Sequence, residues 1–462
     1  MVKKLIPIFV VVFLLGCAAT RTSLKQYSGL DEKISARDFS GAIAKIEKAK
    51  DKYYTAKDKV VYYLDLGMLY HYQGNFAKST ELLTKAENAI DENYTRSISK
   101  AAVSMLLNDN VLDYAGEDYE DIYLNIFKAL NYLEMDKFDD SFVEIRKINN
   151  KLNLLEDKYR KLGEEYEKTE DNKAKFKPAE NKFHNDALAR YLSMLLYRAE
   201  GKQDDARIDL QGIKNAWKDQ THIYNFSMPA LDNHLVASDK AKVNFVCYTG
   251  KSPVKEAKTL YIHTEKNIII VATTERKPDD KTTVGYLGGI PWEGVEKGYH
   301  FKFQLPFIKE RDSCVNRVSV TVDDLPAYDL ELIEDVGVVA VETYKVKEPL
   351  IYVKTIARTI IKGLFAEKRK EEMEKKIENP VLGFVARLAT DAAVDATENA
   401  DLRISRFFPD RAYVGELEIA AGVHKITVNF YSANGGLLFT DQIDAIDIKN
   451  DKLNLIRSYY LN

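Results

Sequence analysis

The chain has 462 residues, enough for two or three domains with a sizeable buried core. Charged residues make up 30% of it, the signs are mixed and the formal net charge is −4, so there is no basic footprint of the kind that binds nucleic acid. Only three cysteines occur, at 17, 247 and 314, too few for a disulfide-built scaffold.

The first segment, MVKKLIPIFVVVFLLGC, opens with Lys3 and Lys4 and continues through an apolar run from Leu5 to Leu15 broken by Pro7. A helix needs roughly 20 apolar residues to cross a bilayer core of about 30 Å. The run is shorter than that and fits the core of a secretory signal peptide. Leu14-Leu15-Gly16-Cys17 resembles the lipobox of bacterial lipoproteins. That resemblance implies removal of residues 1–16, a thioether-linked diacylglycerol on Cys17 and further acylation by a palmitate-like chain. Two or three chains anchor a protein stably, where one is marginal at about 0.8 kcal/mol per buried CH₂. Loss of the two lysines takes the net charge to about −6. Ala18 and Ala19 follow in place of the Asp that resembles an inner-membrane retention signal, so the periplasmic face of the outer membrane is the expected address. Residues 17–30 form the expected lipidated tether.

Residues 31–217 show helical spacing of apolar positions in paired elements. The pair YYLDLGMLYHYQGNFAKSTELLTKAENAID resembles a tetratricopeptide repeat (TPR), with Tyr63, Leu66, Gly67 and Tyr70 on its first helix and Phe76, Ser79, Leu83 and Ala86 on its second. Gly67 and Ser79 are small where the helices must approach, and Gly74 supplies the turn. Degenerate copies occur at RDFSGAIAKIEKAK, FKALNYLEMDKFDDSFVEIRKI and ALARYLSMLLYRAEGKQDDARIDLQGI. The charged stretch from Leu155 to Lys182 reads as a solvated helix ending near Pro178, followed by a loop. Such repeats stack into a solenoid with a concave groove. The expected groove residues are Leu64, Met68, His71 and Tyr72, and in the last copy Tyr191, Leu195 and Arg198. Either the groove docks a partner's peptide or helix, or another part of the same chain fills it.

Residues 218–240 read as a polar linker, and 241–462 as a β-rich domain. AKVNFVCYTG, KTLYIHTEKNIIIVATT, HFKFQLP and NRVSVTVDD carry strand patterns, with turn clusters at Lys277–Lys281 and Gly285–Gly289. Helical patterns return at Glu334–Lys347, at Leu350–Ile377 and after Pro380. Charges at Lys354, Arg358, Lys362, Arg387 and Asp391 exclude these as membrane spans, so packing against the sheet is expected. AYVGELEIA, HKITVNFYS, GLLFTDQ and KLNLIRSYY close the chain as strands, and ELEIAAGVHKITVNFY resembles a strand–Gly–strand hairpin of small periplasmic β-sandwiches. The expected fold is therefore α+β: a TPR-like α-solenoid followed by a mixed β-sandwich-like domain with packed helices.

Catalytic signatures are missing from the sequence. The seven histidines are scattered without HExxH spacing, and no GxSxG elbow, P-loop or dinucleotide fingerprint occurs. Asp323-Asp324 are neighbours on a strand and point to opposite faces. No metal or cofactor is expected. Cys247 and Cys314 either pair in an oxidising compartment or stand as unpaired apolar side chains. Arg403 and Arg406, flanking Ile404, form either an anion-recognising pair or ion pairs with Asp401 and Asp410 at a corner of the fold.

The order of these features, from the lipobox through ALARYLSMLLYRAEGKQDDARIDL and IARTIIKGL to NADLRISRFFPDRAYVGELEIAAGVHKITV, resembles a family of bacterial outer-membrane lipoproteins with TPR-like N-terminal repeats. In that family's pattern a Trp lies near Ser405-Arg406, and this chain has none there. The family has no established reaction, so the resemblance implies location and architecture. Two functions follow as expectations. One is a lipid-anchored, non-catalytic scaffold that recruits an envelope protein through its repeats, in envelope or peptidoglycan biogenesis. The other is a glycan- or lipid-binding protein, or an enzyme, that uses the β-rich half.

Overall fold

Gly67 explains the first helical contact. In a computed structural model that describes residues 22–101, 107–168, 175–276, 282–374 and 399–462, a Cβ at this position would sit 2.6 Å from Leu83 Cδ2. Only glycine therefore lets helix α3 (Lys59–Gln73) lie so close to α4 (Phe76–Ser99). Ser79 Oγ donates to the Gly67 carbonyl at 2.7 Å across the same gap. Gly74 ends α3 at φ 86°, and the Asn75 side chain accepts from Lys78 N to begin α4.

The same device recurs. A short turn of helix, α1 (Asp31–Ser35), precedes α2 (Phe39–Tyr53), which the Asp38 side chain caps. A second hairpin joins α5 (Asp118–Glu134) to α6 (Phe138–Glu167) through Asp136 at φ 56°. A third joins α7 (Ala187–Ala199) to α8 (Gln203–Asp219) through Gly201 at φ 74°. Each reversal places a residue that tolerates positive φ at the bend. The charged stretch differs from its solvated expectation. Helix α6 ends at Glu167, and its Leu155 and Tyr159 pack with Val346 and Leu350 of a later helix.

Among the described residues the strands form three four-stranded sheets. The first has the order β12-β1-β9-β8, built from β1 (Ala241–Thr249), β8 (Glu331–Asp335), β9 (Arg411–Ile419) and β12 (Asn454–Tyr460). The second, β11-β10-β6-β7, uses β6 (Arg317–Val322), β7 (Tyr328–Asp329), β10 (Gly422–Tyr431) and β11 (Leu437–Ile448). The third, β4-β3-β2-β5, uses β2 (Val254–Glu265), β3 (Ile268–Arg276), β4 (Thr282–Pro291) and β5 (His300–Lys309). β1 pairs with β12 in parallel and with β9 antiparallel. With 46% helix and 24% strand the protein is α+β.

β1 decides the layering, because side chains alternate across a strand. Val243, Phe245 and Cys247 enter an apolar core with Val318, Val320, Val428 and Phe430 of the second sheet. Val246 and Tyr248, on the opposite face, join the core of the helical half. The first sheet is therefore buried on both sides, between the helices and the second sheet. The third sheet packs instead on helix α9 (Val336–Glu374), where Leu260, Ile262 and Phe303 meet Ile356, Ala357 and Ile360.

Several expectations change here. The helical patterns expected at Glu334–Lys347 and Leu350–Ile377 belong to one helix, α9, continuous through Pro349. Gly285–Gly289 lies within β4, not in a turn. β9 and β10 are not a hairpin, because β9 pairs with β1 and β8 while β10 pairs with β11 and β6. Ala420 and Ala421 carry the chain from one sheet to the other. The expected linker is packed, with Ile223, Tyr224 and Leu231 buried and Tyr224 stacked on Trp217 at 4.5 Å. The helix expected after Pro380 and the turn at Lys277–Lys281 lie outside the described residues.

Candidate functional site

The residues expected to line a groove are buried against other parts of the same chain. Residues 399–410 adopt no helix or strand and run as an irregular strap between the helical hairpins and the first sheet. Polar contacts secure it along its length. Asn110 Nδ2 donates to the carbonyls of Asn399 and Ala400 at 3.2 and 2.9 Å. Tyr72 Oη donates to the Phe407 carbonyl at 2.8 Å. Phe408, fully buried, meets the rings of Tyr119 and Phe127 at 6.0 and 5.9 Å.

Arg403 is the hub of the strap. Only 6% of it is exposed. Its guanidinium holds Asp401 in a two-point pair at 2.9 and 2.8 Å and reaches Asp58 Oδ1 at 3.2 Å. It also donates to the carbonyls of Leu112 at 3.0 Å and Asp109 at 2.7 Å. A planar fork with five N–H donors suits that set of acceptors. Burial pushes the Asp401 carboxyl up, but the Arg403 charge outweighs it and holds the group well below the usual range.

Ser405 bridges two buried acids. Its Oγ donates to Asp65 Oδ1 at 2.9 Å, while Tyr27 and Tyr54 donate to Oδ2 at 2.8 and 2.7 Å. Burial raises the Asp65 pKa to about 6 against the lowering effect of these bonds. The Ser405 N–H donates to Glu120, whose other oxygen accepts from Tyr114 Oη and Glu117 N, both at 2.7 Å. Burial, followed by the Glu117 charge, raises the Glu120 pKa to about 7.

This arrangement corrects the open-groove alternative. Leu64, Met68, Tyr191 and Leu195 are fully buried, and Tyr72 is 2% exposed. His71 Nδ1 lies 2.6 Å from Asn131 Oδ1 and is placed to donate to it. Burial, then the Arg457 charge, lowers the His71 pKa to about 3 and keeps the ring neutral. Arg198 pairs with Glu416 of β9 and donates to Asn244 Oδ1 of β1 at 2.6 Å. These side chains join the helices to the chain's own sheet and strap, and none presents a free face to a partner.

The other candidates resolve as follows. Arg403 is spent on internal partners. Arg406 is half-buried, with its guanidinium 4.5 Å from the Tyr27 ring centroid, and its backbone N–H bonds Asp65. The two arginines do not form one anion site. Cys247 and Cys314 are unpaired, because Cys247 points into the sandwich core from β1 while Cys314 is exposed after β5. Cys17 lies outside the described residues. Among the described residues no group of three or more His, Cys, Asp or Glu side chains converges to hold a metal ion.

Sequence reasoning missed Asp65, Glu120, Asp58 and Ser405. A faint signal existed for Asp65, which interrupts an apolar run in YYLDLGMLY, whereas Glu120 stands between Asp118 and Asp121 in DYEDIYLNIF and gives none. A charge inside a buried helix needs a partner, and here the partner comes from 285 to 340 residues away. Comparison with protein-family models, curated proteins and solved structures found no match to this chain.

Proposed function

We propose that this chain is a lipid-anchored lipoprotein of the cell envelope, on the periplasmic face of the outer membrane, acting as a non-catalytic protein-interaction scaffold in envelope or peptidoglycan biogenesis. The observation that carries the reading is the sequence Leu14-Leu15-Gly16-Cys17 behind a basic start and a short apolar run. No helix among the described residues is long and apolar enough to cross a membrane, which is compatible with attachment by lipid alone.

The helical half is TPR-like in this reading, on the strength of three hairpins that each bend at a positive-φ residue and of the Gly67–Leu83 contact. Its concave side is engaged in cis by the strap, so partner recruitment belongs to the outer surface. Helix α6 offers a face there. Val143 and Leu154 stand 50% and 52% exposed, and eleven residues apart on a helix they share one side.

Changing Cys17→Ser is expected to move the folded protein from the membrane fraction to the soluble envelope fraction and to abolish labelling by palmitate. A variant that remains processed and membrane-bound would contradict the anchor. In the anchored protein, Val143→Asp with Leu154→Asp should remove partners captured by envelope cross-linking. An unchanged set of captured proteins would contradict recruitment through α6.

A further inference from the structure

The point where the chain enters the body is fixed. Thr22 Oγ1 donates to Asn110 Oδ1 at 2.7 Å and accepts from the Leu402 N–H at 2.9 Å. Beyond it Tyr27 and Leu30 are 8% and 2% exposed, so the segment expected to serve as tether as far as Leu30 is folded into the protein from Thr22 onward. Only residues 18–21 separate Cys17 from that anchor point.

Length then limits geometry. Five Cα-to-Cα steps at no more than about 3.6 Å each reach roughly 18 Å. A body of this size has a radius of gyration of about 22 Å, and so a diameter well over 50 Å. A tether shorter than the body's radius cannot let it turn over. If Cys17 is lipidated, only the face around Thr22 can meet the bilayer.

That face carries apolar side chains. Leu24, two residues from Thr22, is 36% exposed. Val111, next to the Asn110 that Thr22 bonds, is 41% exposed, and Leu107, three residues before Asn110, is 37% exposed. Single exposed apolar residues are ordinary, but these three lie within three residues of Thr22 or of the Asn110 that it bonds. Lys25 and Lys52 are exposed beside it and make no ion pair among the described residues. Of the acids nearby, Asp58 is held by Arg403 and Asp109 by Lys354, while Asp51 beside Lys52 is exposed.

Resting on the anchor reading above, we infer that this face lies on the anionic lipid surface into which Cys17 is inserted. Leu24, Leu107 and Val111 enter the headgroup boundary, with Lys25 and Lys52 at its rim. The lipid and the patch act as two attachments on one side of the molecule. The body is then held in a single orientation, with the opposite side turned to the periplasm.

The test uses the full lipidated chain, purified from membranes and carrying Cys314→Ser to remove the exposed thiol. Leu24→Cys, Leu107→Cys and Val111→Cys are introduced singly and labelled with nitrobenzoxadiazole. Ile208→Cys and Val423→Cys, 64% and 67% exposed in the parent chain, serve as controls. In vesicles of phosphatidylethanolamine with phosphatidylglycerol, labels at 24, 107 and 111 should brighten at least twofold over detergent solution and be quenched by brominated lipid. The controls should do neither. Labels at the three positions that behave like the controls, on protein that stays with the vesicles, overturn the docking and leave the anchor standing. Protein that carries no lipid and does not join the vesicles overturns the anchor reading and the docking with it. Shielding that persists in detergent and grows with protein concentration assigns the face to a second copy and overturns the lipid contact.

Discussion

Replacing Arg403 by methionine is expected to lower the free energy of unfolding by about 3–5 kcal/mol, the cost of breaking a buried ion pair from one side. Methionine keeps much of the side-chain volume, so the loss is one of charge and donors. Asp401 and Asp58 would be left without their cation, and the carbonyls of Leu112 and Asp109 without a donor. Each orphaned buried acceptor costs about 1–3 kcal/mol. Arg403→Lys should recover only part of the loss, because one ammonium cannot span an acid pair and two carbonyls that the planar fork reaches together. Urea unfolding of the parent and both variants checks this. A loss below about 1 kcal/mol for the methionine variant would mean that Arg403 is solvated, as most surface ion pairs are.

The second large effect is on pH dependence. Glu120 has a pKa of about 7 in the folded protein against an ordinary 4.5. The folded state therefore holds this proton more tightly than the unfolded chain does. Below pH 4.5 both states are protonated and the stabilisation is fully present. As pH rises through 4.5 the unfolded chain releases its proton first, so stability falls until the folded group has also ionised near pH 7. Integrated across the window, that loss is about 3 kcal/mol. Glu120→Gln cannot ionise and is spared it. The stability of the parent minus that of the variant should drop by about 3 kcal/mol between pH 4 and pH 8, whatever the amide costs in hydrogen bonds at a single pH. A difference that stays constant over this range would show that Glu120 titrates as it does in the unfolded chain. Comparing the two proteins removes the opposing contribution of His71, which both share.

The hairpins were legible because their determinants are local. Gly67, Gly74 and Ser79 lie within thirteen residues of one another, and each meets a need of its own turn or helix pair. The strands were legible for a similar reason, since period-2 alternation over six to ten residues marks a half-buried strand. The pairing of the strap with the helices was not legible. Ser405 meets Asp65 across 340 residues and Tyr72 meets the Phe407 carbonyl across 335, and no short-range pattern encodes those pairings. The same limit explains the corner after β9. A glycine flanked by two alternating segments marks a reversal equally well within one sheet or between two, and only the partners of β9 and β10 decide. Pro349 lies inside α9 although proline usually ends a helix, and Leu350 on its far side is 2% exposed in a core shared with Val346 on its near side.

The central claim is that residues 399–410 are built into the helical half as an internal strap of the same chain. Backbone hydrogen exchange of this strap tests it most directly. The amides of Leu402 and Ser405 donate to Thr22 and Glu120, and that of Asp410 to the Thr249 carbonyl. If the strap is built in, these amides exchange only when the core opens, with protection close to that of α3 and α5. If they exchange within seconds, like the exposed turn at Asn434–Gly436, the strap is not seated against the helices.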